Sequence, residues 1–158
     1  MTALAPPDDP SDHAACIRCT AERACLPLLL ALIDRACERH GIDSQTGHDL
    51  RLIVEEGCVN IMAHAYPGGR PGALTLRVNT VSHGGRPAIV ISFEDQGIPF
   101  DPLALPRPNR AAALDELQIG GLGVHLMREL SDAQHYLRDP ERGNVLTITK
   151  FLVPPRHA

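Results

Sequence analysis

The stretch "EEGCVNIMAHAY", residues 55–66, carries an acid, an amide and an imidazole inside a segment that otherwise has the pattern of a packed helix. Glu56, Asn60 and His64 are each four residues apart, so on a helix they lie one above another on one face. A carboxylate and a carboxamide placed in this way direct oxygens at one point. This arrangement suits Mg²⁺, which takes few protein ligands and keeps waters and phosphates. A solvated helix face has the same pattern, so the stripe alone leaves both interpretations open.

The residues around this stripe predict the longest helix of the chain. Asp43 or Ser44 is a suitable N-cap, and Pro67 disfavours helix at the residue before it, so the helix is expected to end near Ala65. Its apolar positions follow the helical period and are Leu50, Ile53, Val54, Gly57 and Ile61. The polar stripe therefore lies directly beside the side chains that form the core.

The remaining periodicities predict strands and helices in alternation. A helix follows the short strand "AACIRCT" and ends at Gly41, and the strands "ALTLRVN" and "AIVISFE" form a hairpin. A third helix begins at "GGLGVHLMREL", and "AQHYLRD" and "NVLTITKFL" form a closing antiparallel pair. The connection 97–121 is rich in proline, and "AAALDEL" within it has the pattern of one or two helical turns. We therefore predict a two-layer α+β sandwich in residues 14–153, between a disordered tail at 1–13 and a short tail at 154–158.

The composition excludes several classes of protein. A chain of 158 residues fits one domain, and a net charge of −4 with no basic run makes nucleic acid an unsuitable partner. The apolar run "LPLLLALI" is too short to span a bilayer, and the acidic start does not resemble a signal peptide. We therefore expect a cytoplasmic protein with no membrane partner. Cys16 and Cys19 form a CxxC pair, which indicates either a zinc site or, with no second pair, small apolar residues.

Two further motifs have the chemistry of a ligand site. In "FEDQGIPFDP", Asp95 ends a buried strand and can accept a hydrogen bond from an exocyclic amine, while Gly97 leaves room for a flat ring. In "GGLGVHLM", Gly120, Gly121 and Gly123 precede or open a helix, whose first amides can bind phosphate oxygens. An ordinary strand-ending turn and a flexible hinge have the same residue types.

The order of these three motifs along the chain resembles the serine-kinase and anti-sigma-factor branch of the Bergerat ATP-binding fold. That fold is shared with gyrase, histidine kinases and mismatch-repair ATPases. The helix motif of the family, E-x-x-x-N-x-x-x-H-A-Y, matches residues 56–66, and its D-x-G-x-P-F-D matches residues 95–101. Its G-G-L-G matches residues 120–123. Taken over all its elements, the likeness extends from about residue 14 to residue 152. The fold it implies is a mixed, mainly antiparallel sheet covered on one face by helices.

The resemblance also implies a role for each matched residue. Asn60 would ligate Mg²⁺ on the phosphates of ATP, Glu56 would take the proton of a substrate hydroxyl, and Asp95 would bind the adenine amine. The other residues implied to contact the nucleotide are His64, Gly97, Gly120, Gly121, Leu122, Gly123, Val124 and Asn144. The chain departs from the family at Asn144, where many relatives carry threonine, and in the lid 103–119, where Arg107 and Arg110 match no family residue. We expect the Asn144 carboxamide to serve in place of the threonine.

The function that the resemblance implies is a regulatory serine/threonine-protein kinase. Its substrate would be an anti-sigma-factor antagonist, its second partner an RNA polymerase sigma factor, and its assembly a homodimer. An alternative is a binding module that uses nucleotide only to hold its shape and sequesters a sigma factor or another regulator. A histidine-kinase catalytic domain would need a dimerisation helix pair before residue 14, where the sequence has no room for one.

Overall fold

Five strands and three α-helices form the part of the chain that the computed structural model describes, which is residues 14–107 and 121–152. The strands are β1 (Ala15–Thr20), β2 (Ala73–His83), β3 (Arg86–Asp95), β4 (Ala133–Asp139) and β5 (Gly143–Phe151). The helices are α1 (Leu26–Arg39), α2 (Ser44–His64) and α3 (Gly121–Leu130), and short 3₁₀ turns occur at Arg23–Cys25 and Pro102–Ala104. The predicted elements within these ranges are confirmed. The predicted helical turn at 111–117 and the two predicted tails, residues 1–13 and 154–158, lie outside the described residues.

The strands form one sheet in the order β1-β2-β3-β5-β4, and every pairing among the described residues is antiparallel. The α+β class is therefore confirmed, with an antiparallel sheet where a mixed, mainly antiparallel one was expected. β3 is the central strand and pairs with β2 and β5 along its length. Its last residue, Asp95, lies opposite Asn144 at the start of β5, so the two polar side chains meet at the end of the sheet.

The core lies between one face of this sheet and the helices. β3 contributes Ile89, Ile91 and Phe93 to it, and all three are almost completely buried. Burial of a side chain of this size stabilises the fold by roughly 1.5–3 kcal/mol. α2 covers these residues with the apolar positions predicted from the sequence, and all of them are buried.

α2 packs unusually close to the sheet at Gly57. A Cβ atom at this position would lie 2.5 Å from Cε1 of Phe93, a separation that real Cβ atoms do not adopt. The backbone of α2 therefore rests directly on the Phe93 ring. This contact sets the distance between the helix and the end of β3.

Both ends of α2 are fixed by hydrogen bonds. At its start, the Asp43 carboxylate accepts a hydrogen bond from the backbone N–H of Thr46 at 2.9 Å, and this bond lowers the pKa of Asp43. Just after its end, the Tyr66 hydroxyl donates to the carbonyl of Ala73 at 2.5 Å and accepts from the backbone N–H of Gln96 at 2.9 Å. Tyr66 thus joins the end of the helix to β2 and to the residue that follows Asp95.

The two cysteines of the CxxC pair lie in β1, where the exposed Cys16 and the half-buried Cys19 alternate in burial. Cys19 packs against the core with its apolar neighbours. Among the described residues, no group of three or more histidine, cysteine, aspartate or glutamate side chains is arranged to hold a metal ion. No helix in the described ranges has the length and apolar content needed to cross a membrane.

Candidate functional site

A cavity of about 80 Å³ lies between the second half of α2 and the ends of β3 and β5. Four predicted site residues line it with polar side chains, Asn60, His64, Asp95 and Asn144, and Tyr136 adds a hydroxyl that was not predicted. Most of the remaining wall is apolar and comprises Ile61, Phe93, Ile98, Phe100, Met127 and Leu146. A largely apolar cleft with a few convergent polar groups is the usual form of a small-molecule site.

Asp95 is the buried acid of this cavity. Its Oδ1 accepts hydrogen bonds from the backbone N–H of Gly97 and from Nδ2 of Asn144, both at 2.9 Å. Burial raises the pKa of Asp95, and these two bonds together with the nearby charge of Arg138 oppose the rise. Both hydrogen bonds that Asp95 accepts within the described part of the chain go to Oδ1. Oδ2 is therefore the oxygen that remains for a ligand.

The turn after Asp95 lies directly against the end of α2. The backbone N–H of Ile98 donates to the carbonyl of Ala65 at 2.9 Å, and the Arg138 guanidinium donates to the carbonyl of Gly97 at 2.9 Å. A Cβ atom at Gly97 would lie only 2.3 Å from the Ala65 carbonyl oxygen. Gly97 does not line the cavity. Because glycine has no side chain, the turn can approach the helix, and Asp95 lies at the cavity that Asn60 also lines.

Asn144 uses its whole amide within the protein. Nδ2 donates to Asp95 Oδ1 at 2.9 Å and to the carbonyl of Ile98 at 2.8 Å. Oδ1 accepts from the Tyr136 hydroxyl at 2.7 Å and from the backbone N–H of Phe100 at 3.3 Å. A carboxamide has two N–H donors and two acceptor lone pairs, so this network satisfies all four. Asn144 therefore acts on the cavity chiefly by holding Asp95.

Glu56 lies one helical turn before Asn60 and outside the lining of the cavity. Its carboxylate is next to the start of α3, where a Cβ atom at Gly123 would lie 2.3 Å from Oε2. Burial raises the pKa of Glu56, and the like charge of Glu55 adds a smaller rise. A raised pKa brings a carboxylate closer to the value that suits proton transfer near neutral pH. The structure thus brings Glu56 and the third motif together, as neighbours rather than within one pocket.

The third motif has three different environments along its length. Leu122 is 59% exposed, whereas Val124 is 2% exposed and belongs to the core, so only its backbone remains available to a ligand. A Cβ at Gly121 would meet no atom within 4 Å. None of the residues 121–124 lines the cavity, and Gly120 lies outside the described residues.

Arg128 of α3 anchors the beginning of the predicted lid. Its guanidinium donates to the carbonyls of Pro102 at 3.1 Å, Leu103 at 2.5 Å and Leu105 at 3.0 Å. Arg107 is exposed, and Arg110 lies outside the described residues. Arg128 was not predicted, because no local sequence pattern shows that one arginine faces three distant carbonyls.

Tyr136, Tyr66 and Arg138 were not predicted as site residues either. Each fixes a residue of the cavity or the turn beside it, through Asn144, Gln96 and Gly97 respectively. Only Tyr66 had a signal, since it closes the helix motif quoted above. The contact of Tyr136 depends on the register of β4 with β5, and that of Arg138 on a turn 41 residues away in sequence.

The residues present fit a magnesium ion that is bound mainly by phosphate. Asn60 lines the cavity and carries one carboxamide oxygen, and the described residues hold no acidic or histidine cluster that would enclose a metal by itself. Mg²⁺ commonly keeps several waters and binds through one or two protein groups together with substrate phosphates. The donor set at this cavity is of that type.

A helix-covered antiparallel sheet with an acid-lined cavity beside its longest helix defines the class: the chain belongs to the histidine kinase-like ATPase domain family, which it matches over residues 19–150. Within that class it is similar to serine/threonine-protein kinase BtrW of Bordetella bronchiseptica, with 33% identity over 105 residues, 66% of this chain and 70% of the relative. It is also 32% identical over 122 residues to serine-protein kinase RsbW of Bacillus licheniformis, covering 71% and 72% of the two chains. RsbW of Bacillus subtilis is 28% identical over 120 residues, with the same coverage. The serine-kinase resemblance is confirmed.

Proposed function

We propose that this protein is an ATP-dependent serine/threonine-protein kinase that phosphorylates an anti-sigma-factor antagonist and also binds a sigma factor. The observation that carries the proposal is that Asn60 and Asp95, from two different motifs, line one cavity. The names of the relatives, serine/threonine-protein kinase and serine-protein kinase, support the reaction class. The two protein partners follow from the resemblance to the anti-sigma-factor branch.

The cavity supports adenine as the base of the nucleotide. The free Oδ2 of Asp95 is an acceptor for the exocyclic amine, and the apolar wall accommodates a flat ring. Burial raises the pKa of Asp95, and the bonds from Asn144 and Gly97 oppose that rise and so favour the ionised carboxylate, which is the stronger acceptor. The phosphates would then extend along α2 towards Asn60 and the start of α3.

Asn60 would hold the magnesium ion, and His64 would lie beside the nucleotide at the end of α2. When bound, Mg²⁺ neutralises the charge on the phosphates and orients them for transfer. The backbone N–H groups at the start of α3 have no partners within the helix and are donors for the terminal phosphate.

Glu56 would act as the general base. The serine or threonine oxygen attacks the terminal phosphorus, the bond from that phosphorus to the bridging oxygen breaks, and ADP leaves. The hydroxyl proton passes to the Glu56 carboxylate. Phosphoryl transfer depends mainly on positioning and charge neutralisation. Glu56 would therefore contribute as much by orienting the hydroxyl as by accepting its proton.

The proposal is tested by separating binding from transfer. Glu56→Gln is expected to keep ATP–Mg²⁺ binding in calorimetry and to lose transfer of labelled phosphate to antagonist proteins. Asn60→Ala is expected to lose the magnesium-dependent part of ATP binding. Glu55→Gln is the matched control, because it makes the same charge change one residue away and should retain transfer at neutral pH. Unchanged phosphorylation by Glu56→Gln would refute the role of the base, and full ATP affinity in Asn60→Ala would refute the metal site.

The position of Glu56 outside the cavity lining favours a second candidate, a binding module without transfer activity. Such a module would bind ATP–Mg²⁺ and would form a complex with a sigma factor. The two proteins would elute together in gel filtration. It would leave the antagonist unlabelled in every variant. Transfer of label by the unchanged chain excludes it.

We also propose a cytoplasmic location and a homodimer, both from the sequence pattern and the family resemblance. Analytical ultracentrifugation of the full chain tests the dimer. A sedimentation coefficient that stays at the monomer value over a wide concentration range would exclude it.

A further inference from the structure

Tyr136 is the one residue of the cavity lining whose polar atom contacts Asn144 from the edge strand β4. Pairing of β4 with β5 places Arg138 opposite Asn144 and Tyr136 opposite Leu146, so Tyr136 and Asn144 are diagonal neighbours. An aromatic side chain can span that separation. The Tyr136 hydroxyl reaches the Asn144 carbonyl oxygen at 2.7 Å.

This contact helps to hold the Asn144 amide in its orientation. Two donors, the Tyr136 hydroxyl and the weaker Phe100 N–H, lie on its oxygen side, and two acceptors lie on its nitrogen side. A flipped amide would place its oxygen against the Asp95 carboxylate and its N–H₂ against the Phe100 donor. Without the Tyr136 hydroxyl, only the 3.3 Å bond from Phe100 would hold the oxygen side.

The orientation of Asn144 in turn fixes Asp95. Nδ2 of Asn144 and the N–H of Gly97 are the two donors that hold Oδ1, and so they set the direction of Oδ2 in the cavity. The bond from Asn144 to the Asp95 carboxylate is charge-assisted and therefore strong. When it is lost, the Asp95 carboxylate is held by the Gly97 N–H alone and can rotate. Tyr136, Asn144 and Asp95 therefore form a chain of contacts that ends at the base-binding oxygen.

We propose that Tyr136 is a positioning residue for recognition of the adenine amine, acting on Asp95 only through Asn144. This inference rests on the proposed function, because it takes ATP as the ligand. It also gives a role to the asparagine at position 144, where many family members carry threonine: the carboxamide bonds Tyr136 through its oxygen and Asp95 through its nitrogen.

The test compares two nucleotides, ATP and purine riboside triphosphate, which lacks the exocyclic amine. In Tyr136→Phe, ATP affinity should fall by about fivefold, as expected for one net hydrogen bond. Affinity for purine riboside triphosphate should stay within about twofold of the unchanged chain, because no Asp95 contact is lost with that ligand. A purely structural role for Tyr136 would weaken both ligands equally, and that result would overturn the inference.

A double-variant cycle tests the route through Asn144. Adding Tyr136→Phe to Asn144→Ala should cause no further loss of preference for ATP over purine riboside triphosphate, since the intermediary is already absent. A further loss would show that Tyr136 contacts the base itself and would overturn the proposal. Thermal unfolding of each variant checks that the fold persists. If the unchanged chain binds neither triphosphate, the proposed function fails and this inference fails with it. If it binds ATP and Tyr136→Phe changes nothing, only this inference fails.

Discussion

Gly97→Ala should disrupt the site through a single added carbon. The new Cβ would lie 2.3 Å from the Ala65 carbonyl oxygen, and 2.6 Å from the Ala65 Cβ. The helix end or the turn must therefore move by about 1 Å to restore normal contact. Overpacking of this kind typically costs about 1–3 kcal/mol, and losing the bond from Ile98 N–H to Ala65 adds about 1 kcal/mol.

These two contributions predict a loss of roughly 2–4 kcal/mol of unfolding free energy, or a melting temperature lower by roughly 4–16 °C for a chain of this size. ATP affinity should fall as well, because the same movement shifts Asp95 away from Asn60. Thermal unfolding by circular dichroism measures the first effect, and calorimetric titration with ATP–Mg²⁺ measures the second.

Gly68→Ala is the matched control for this experiment. A Cβ at Gly68 meets nothing within 4 Å, and its φ is not among the positive glycine values of the described residues. This variant should melt at the same temperature as the unchanged chain or slightly above it. If Gly97→Ala also melted and bound ATP like the unchanged chain, the close approach of the turn to α2 would not be what positions Asp95.

Two further predictions concern the base and the lid. Burial and the charge of Glu55 raise the pKa of Glu56. In a plot of phosphorylation rate against pH, the midpoint of the acid limb should therefore lie above the usual glutamate pKa of 4.5. The pKa of Glu56 is higher in the folded chain than in the unfolded chain. The Glu56 carboxyl therefore stabilises the fold at pH values below its unfolded-state pKa, and this stabilisation is lost as the pH rises through its folded-state pKa. Glu55→Gln should move the acid limb to lower pH, and an unmoved limb would contradict the assignment. Arg128→Ala should speed hydrogen exchange of the Ala104 and Leu105 amides and slow phosphorylation, with Arg128→Lys intermediate because a lysine lacks the planar fork. Unchanged exchange would show that Arg128 does not anchor the lid.

Much of the site could be predicted from short stretches of sequence. The helical period places Glu56, Asn60 and His64 on one face of α2 wherever that helix lies, and Asp95 follows a strand whose apolar residues require burial. The structure brings three of these four residues, together with Asn144, to one cavity. Glu56 is placed apart from it, next to Gly123, because a helical turn separates it from Asn60 and α3 closes over that turn.

Local sequence determined the elements of this protein and the residues that carry its chemistry, since hydrophobic period, caps and turn residues act over only a few positions. Only the tertiary structure decided how those residues are held. The contacts of Tyr136 with Asn144 and of Arg128 with three carbonyls join positions 8 to 26 residues apart. Such contacts depend on strand register and on the packing of helices against the sheet, which no local pattern encodes.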